Sequence, residues 1–237
     1  MSMFEDLYAL QELDVTIDQL RHRLESLPER AAQAAVETEI AALDTRIAAA
    51  NERRDEVRRE QRRHEDEVAS IEEKIDHVRH QLYDSGITSP KAAADLQADL
   101  ESLQRRQRDL EDLVLEQMEC AEPIDAELAD HRAERAALDA RLDAATAALN
   151  AAAGSVGDSL AAAEARRPDL VAVVPADMMA TYTAMRGRLG GIAAARLVGS
   201  RCDGCHLTIP SAELQQIRQA PADAVVNCPE CTRILIR

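Results

Sequence analysis

Aromatic residues are almost missing from this 237-residue chain, which has one Phe, three Tyr and no Trp. Rounded cores and β-sandwiches draw much of their burial from aromatic rings, so a thick globular core is not expected. Glycine and proline are scarce too, eight of each. Together these absences argue against a β-propeller, a TIM barrel or a doubly wound dinucleotide-binding enzyme. Lysine occurs only as Lys74 and Lys91, and the remaining basic residues are Arg. Codon bias in a GC-rich genome accounts for that better than an Arg-specific function. The opening MSMFEDLYAL lacks the positive and apolar regions of a signal peptide. No run approaches the ~18 apolar residues of a membrane span. A cytoplasmic chain with reduced thiols and no membrane partner is expected. The sequence also lacks a P-loop, a nucleophile elbow and a Gly-rich dinucleotide loop, so neither catalysis nor a small-molecule substrate is expected.

What is present is charge, and it is uneven. The net charge is −16, yet residues 1–189 carry 23 basic and 40 acidic side chains while residues 190–237 carry five and four. An acidic bulk repels phosphate backbones, so any nucleic-acid contact has to be local. The run Arg53, Arg54, Arg58, Arg59, Arg62 and Arg63 is interleaved with Glu52, Asp55, Glu56 and Glu60. It reads as a salt-bridged, solvated face.

The apolar residues alternate at spacings of three and four, the period of a coiled coil. One run goes from Val36 through Ile40, Leu43 and Ile47 to Leu82; the second goes from Leu96 through Leu110, Ile124 and Leu138 to Leu149. Between them, Gly86 reads as a helix stop and Ser89-Pro90 as a helix start. The chain is therefore expected to be mainly α: a long antiparallel coiled-coil hairpin over 1–189 with its tip near 84–90. Setting Leu82 opposite Leu96 would place Gln61 against Gln117 as a polar layer. Pro28 separates a first helical segment, Leu7 to Leu27, and Pro123 predicts a kink in the second long helix. After residue 150 the chain reads as small and irregular. A short helix after Pro175 then puts Met178, Tyr182, Met185 and Leu189 on one face, to pack on residues 7–27.

Residues 190–237 hold the most specific chemistry: Cys202-Asp-Gly-Cys205 and Cys228-Pro-Glu-Cys231. Two C-x-x-C knuckles suit one tetrahedral Zn²⁺ held by Cys202, Cys205, Cys228 and Cys231. An iron–sulfur cluster would use the same ligand set. A Cys₄ zinc site has no open position, so the metal would be structural. Ser211 as N-cap of a helix over 212–219, with strands over 192–198, 224–226 and 233–236, completes a small C-terminal β zinc ribbon. His206, next to Cys205, is expected to be exposed, and Cys120 to be a small packing residue beside the second helical stripe.

Three segments carry a resemblance: LYALQELD (Leu7–Asp14), SPKAAADLQADL (Ser89–Leu100) and the terminal CDGC…CPEC…RILIR pattern. With these the chain resembles bacterial C4-type zinc-ribbon proteins that have a long N-terminal helical hairpin. The resemblance implies nucleic-acid binding for the family. For some members it implies chaperone-like or regulatory work in flagellar and type III secretion assembly. Thr232 departs from the pattern, because such knuckles usually carry Gly after the last Cys. The expected function is a non-enzymatic adaptor or chaperone-like protein that meets a protein partner through the coiled coil. The alternative is an RNA- or DNA-binding regulator acting through the ribbon, with Arg201, Arg218, Arg233 and Arg237 on phosphates.

Overall fold

The computed structural model describes residues 3–83 and 89–237. The expected hairpin tip around Gly86 lies outside the described residues. The elements are α1 (Met3–Glu25), α2 (Pro28–Tyr83), α3 (Pro90–Ala172), α4 (Ala176–Arg188), β1 (Ala194–Val198), β2 (Arg201–Cys202), α5 (Ser211–Gln219) and β3 (Ile234–Ile236). They form two compact units, residues 33–144 and residues 1–32 with 145–237. This division by packing differs from the compositional division at residue 190.

In the first unit α2 and α3 run antiparallel. At ~1.5 Å per residue, residues 33–83 extend roughly 75 Å. The predicted stripe is the buried one: Val36, Ile40 and Leu43 pack with Leu138, flanked by Ile47 and Leu142. Arg135 donates to Asp44 at 2.9 Å, Arg141 to Glu39 at 2.7 Å and Arg53 to Glu127 at 2.9 Å. All three pairs lie within two residues of the register that sets Leu82 against Leu96. The Arg-rich run is ion-paired as expected, with Arg58 on Asp125 and Arg63 on Glu60. Gln61 donates to Glu65 on its own helix, and among the described residues no hydrogen bond joins it to Gln117. Cys120 is exposed, not a packing residue: it lies one position outside the stripe of Gln117, Ala121 and Ile124.

In the second unit the chain departs from expectation after residue 150. Helix α3 is continuous to Ala172, where an irregular segment is predicted. The stripe in fact persists through Leu149, Val156, Leu160, Ala163 and Leu170, and alanine is the strongest helix former. Gly154 and Gly157 each weaken the helix by only ~1 kcal/mol. Packing of Ala163 on Leu13 and Ile17 of α1 outweighs that. In the first unit Pro123 lies inside the span of α3. Pro28 and Pro90 each open a helix as their first residue, where a missing N–H costs nothing.

Leu7 and Leu10 of α1 pack with Val174 and with Met178 and Tyr182 of α4. Ala193, Ala194, Ile234 and Ile236 complete that cluster, so α1 and α4 share one core with the sheet. The sheet order is β2-β1-β3, with β1 antiparallel to β2 and parallel to β3. Residues 224–226, expected as a strand, are not one. Val226 accepts one backbone bond from Leu235, and Asn227 bridges Ile234. Strand β2 takes the second place at the sheet. Helix α5 begins at Ser211 with Pro210 in the cap position, one residue earlier than predicted.

Candidate metal centre

Each knuckle is a tight turn closed by two backbone bonds. In the first, His206 N–H donates to Cys202 C=O at 2.8 Å and Cys202 N–H to Leu207 C=O at 3.1 Å. In the second, Thr232 N–H donates to Cys228 C=O at 2.9 Å and Cys228 N–H to Arg233 C=O at 2.8 Å. The turn requires a left-handed residue after the second cysteine, and His206 (φ 61°) and Thr232 (φ 65°) both adopt it. Thr232 therefore leaves the knuckle undistorted. The strain of a β-branched residue there, on the order of 1 kcal/mol, is borne by the surrounding bonds. His206 is exposed, as predicted.

The four sulfurs lie within 4.8 Å of one another. Sγ of Cys202 is 3.9 Å from that of Cys231, and Sγ of Cys205 is 3.9 Å from that of Cys228. A disulfide needs ~2.05 Å, so these are thiols. Tetrahedral Zn²⁺ with bonds of ~2.3 Å separates its sulfurs by about 3.8 Å, and the quartet fits. Burial pushes the Cys202 thiol up to about 12 and raises that of Cys228. Burial also acts upward on Cys231, but hydrogen bonds from the Arg233 backbone and side chain and from neighbouring thiols hold it down to about 7. A divalent cation replaces the protons on such thiols and offsets their burial.

Behind the quartet, Ala195, Cys202, Ile209, Ile217, Cys228 and Leu235 form a small apolar core. Gly204 has no room for a side chain: a Cβ would sit 2.6 Å from Cδ of Arg233 and 2.8 Å from Cβ of Ala195. That lets Arg233 cross the first knuckle and donate to the carbonyls of Ile192 at 2.9 Å and Leu189 at 3.1 Å. Arg237 similarly donates to the carbonyls of Ile217, Ala220 and Pro221 at the end of α5. Arg218 donates to Gly199 C=O at 2.9 Å. Of the four arginines expected on phosphates, three are thus engaged with backbone carbonyls. Arg201 is exposed and makes no such contact among the described residues.

Sequence reasoning missed the residues that position the ribbon. Gln11 is buried, donates to Gly191 C=O at 2.9 Å and accepts from Ala193 N–H at 2.6 Å. Asp14 is 2% exposed and accepts from Tyr182 Oη at 2.9 Å and from Arg167 at 2.7 Å. Arg186 lies 3.6 Å from Asp14 and pairs also with Asp18. Burial, followed by the adjacent Asp14 carboxylate, raises the Tyr182 phenol far above its ordinary value, so it stays a donor. Two polar side chains at stripe positions of α1 were the available signal.

The CT398-like coiled-coil hairpin domain model matches residues 10–190, and the C4-type zinc ribbon domain model matches residues 201–235. An uncharacterized protein of Mycobacterium tuberculosis strain H37Rv is 37% identical over 231 residues, spanning 98% of this chain and 94% of the relative. A solved structure from Mycobacterium smegmatis superposes with a TM-score of 0.90 at 29% identity, covering 100% of this chain and 97% of that one. CT398 of Chlamydia trachomatis shares the fold, with a TM-score of 0.68 at 14% identity over 98% of this chain and 96% of its own. The chain therefore belongs to the CT398-like coiled-coil hairpin family and carries a C4-type zinc ribbon with one structural Zn²⁺ as its cofactor.

Proposed function

We propose that the protein is a non-enzymatic adaptor, chaperone-like in its chemistry, that meets protein partners along its coiled coil in a reducing, cytoplasmic compartment. One observation carries this reading. In residues 33–144 two helices bury a single stripe against each other, and their other faces stay exposed. Two-helix surfaces of this kind serve helix-to-helix recognition. The ribbon is a separate metal-held module in this scheme. Its Cys₄ set offers a metal no open position for water or substrate, which supports a structural and not a catalytic metal. The inward engagement of Arg218, Arg233 and Arg237 favours protein over nucleic acid as the partner. No helix among the described residues is long and apolar enough to cross a membrane.

The test is affinity capture from lysate with the zinc-loaded chain, with and without nuclease. Defined proteins retained after nuclease treatment are the expected result. Loss of every partner with nuclease, together with a low-salt RNA or DNA gel shift that Arg201→Ala weakens, would replace the adaptor by a nucleic-acid binder.

A further inference from the structure

Most of the coiled coil is charge-balanced across its two helices. Arg53 meets Glu127, Arg58 meets Asp125, Arg106 meets Glu67 and Arg141 meets Glu39. One stretch is not balanced. Residues 64–73 contain five acidic side chains and no Lys or Arg, and residues 109–131 contain nine and none. Arg106, Arg58 and Arg53 reach Glu67, Asp125 and Glu127 in these stretches, but Glu65, Glu72 and Glu111 have only neutral amides for company. Gln107 Nε2 donates to both Glu72 at 3.1 Å and Glu111 at 2.9 Å, and Gln61 Nε2 to Glu65 at 2.8 Å. Among the described residues none of these three glutamates forms an ion pair.

The same three glutamates rim a groove of about 360 Å³ between α2 and α3, floored by Val68, Ala69, Val114 and Leu115. Leu115 is 56% exposed, and Met118, one turn further along α3, is 48% exposed. The site therefore combines exposed aliphatic surface with an uncompensated acidic rim. Exposed carboxylates next to apolar surface favour a ligand that brings both cations and aliphatic side chains.

We propose that this groove docks a basic amphipathic helix of a protein partner, with leucine-like side chains on Ala69 and Leu115 and Lys or Arg facing Glu65, Glu72 and Glu111. A second copy of this chain fits less well, because a two-fold contact would set the acidic rim against itself. Nucleic acid is repelled by the same carboxylates. The inference rests on the adaptor reading above and gives it a location and a partner chemistry.

The experiment uses the full zinc-loaded chain and a fluorescein-labelled helical peptide of about 18 residues, Leu on one face and Lys on its flanks, followed by anisotropy. Binding is expected to weaken by about fivefold or more in L115S/M118S, the size of a truncated anchor contact. It should weaken severalfold in E72Q/E111Q and on raising salt from about 50 to 200 mM. V173S, at an exposed site elsewhere, should bind like wild type, and a peptide with Glu in place of Lys should not bind. Leu115 and Met118 are exposed, so melting curves should show all variants folded. Equal affinity of wild type and L115S/M118S, or equal affinity for the Glu peptide, would overturn the proposal. So would dimerisation of the wild type, seen by sedimentation, that L115S/M118S abolishes. Lysate capture separates the two readings. The same nuclease-resistant partners on wild type and L115S/M118S would remove this groove and leave the adaptor, whereas none on wild type would remove both.

Discussion

Residues 33–144 are held by one thin aliphatic stripe and a set of exposed ion pairs. Residues 1–32 with 145–237 concentrate nearly everything else: a buried carboxylate, a buried tyrosine, a three-stranded sheet and four clustered thiols. The coiled coil and the ribbon of residues 190–237 show two ways of folding with few or no aromatics. A coiled coil needs no thick core, since each turn buries its own share of the stripe and the contribution repeats along the helices. The ribbon is too small to gather enough apolar area, and a metal substitutes for the missing core.

That contrast can be broken most forcefully by removing the metal. Structural zinc stabilises small domains by an apparent 10–16 kcal/mol or so in isolated peptides, so a strong chelator should unfold the ribbon. Hydrogen exchange is expected to rise across 192–237 and to reach Leu7 and Tyr182, which share a core with Ile234 and Ile236. Amides of residues 36–82 should keep their protection. Loss of protection there would mean that the two units do not fold independently.

A smaller break is Asp14→Ala. It strips Tyr182 and Arg167 of their buried acceptor, and breaking a buried pair typically costs about 3–5 kcal/mol. Thermal melting followed by tyrosine fluorescence should show the transition lowered, while an ellipticity step belonging to the coiled coil stays put. The smallest effect is expected from Arg53→Ala, which removes a pair whose members are 56% and 38% exposed. Exposed pairs contribute about 0–1 kcal/mol, so denaturant midpoints should hardly move. A large shift would show that surface charge, and not the stripe, holds the coiled coil together.

Much of this arrangement was legible in advance because it is periodic or covalently spaced. Ile40, Leu43 and Leu138 announce a stripe by recurrence, and two C-x-x-C pairs can bring four sulfurs together only in a few ways. What stayed hidden depends on single contacts between distant parts of the chain. Gln11 looked like one more polar residue in a helix, and its amide carries meaning only once Gly191 and Ala193 are beside it. The helix beyond residue 150 stays hidden because it packs on α1, which lies some 140 residues away in sequence. Arg233 and Arg237 looked free to meet phosphate because backbone carbonyls leave no trace in composition. Strand β2, two residues long, is shorter than any alternation can reveal.

The hydrogen bonds of Gln11 also set an order of events on the ribosome. Its partners, Gly191 and Ala193, are some 180 residues downstream, and at roughly 5–20 residues per second they emerge about ten to forty seconds after it. Residues 33–144 can pair α2 with α3 during that interval, from contacts they already contain. Helix α1 must wait with Leu7, Leu10 and Gln11 unsatisfied until α4 and the sheet arrive. Helix α1 is thus made long before it is buried, and its neighbours in the finished molecule include β3, made some 220 residues later.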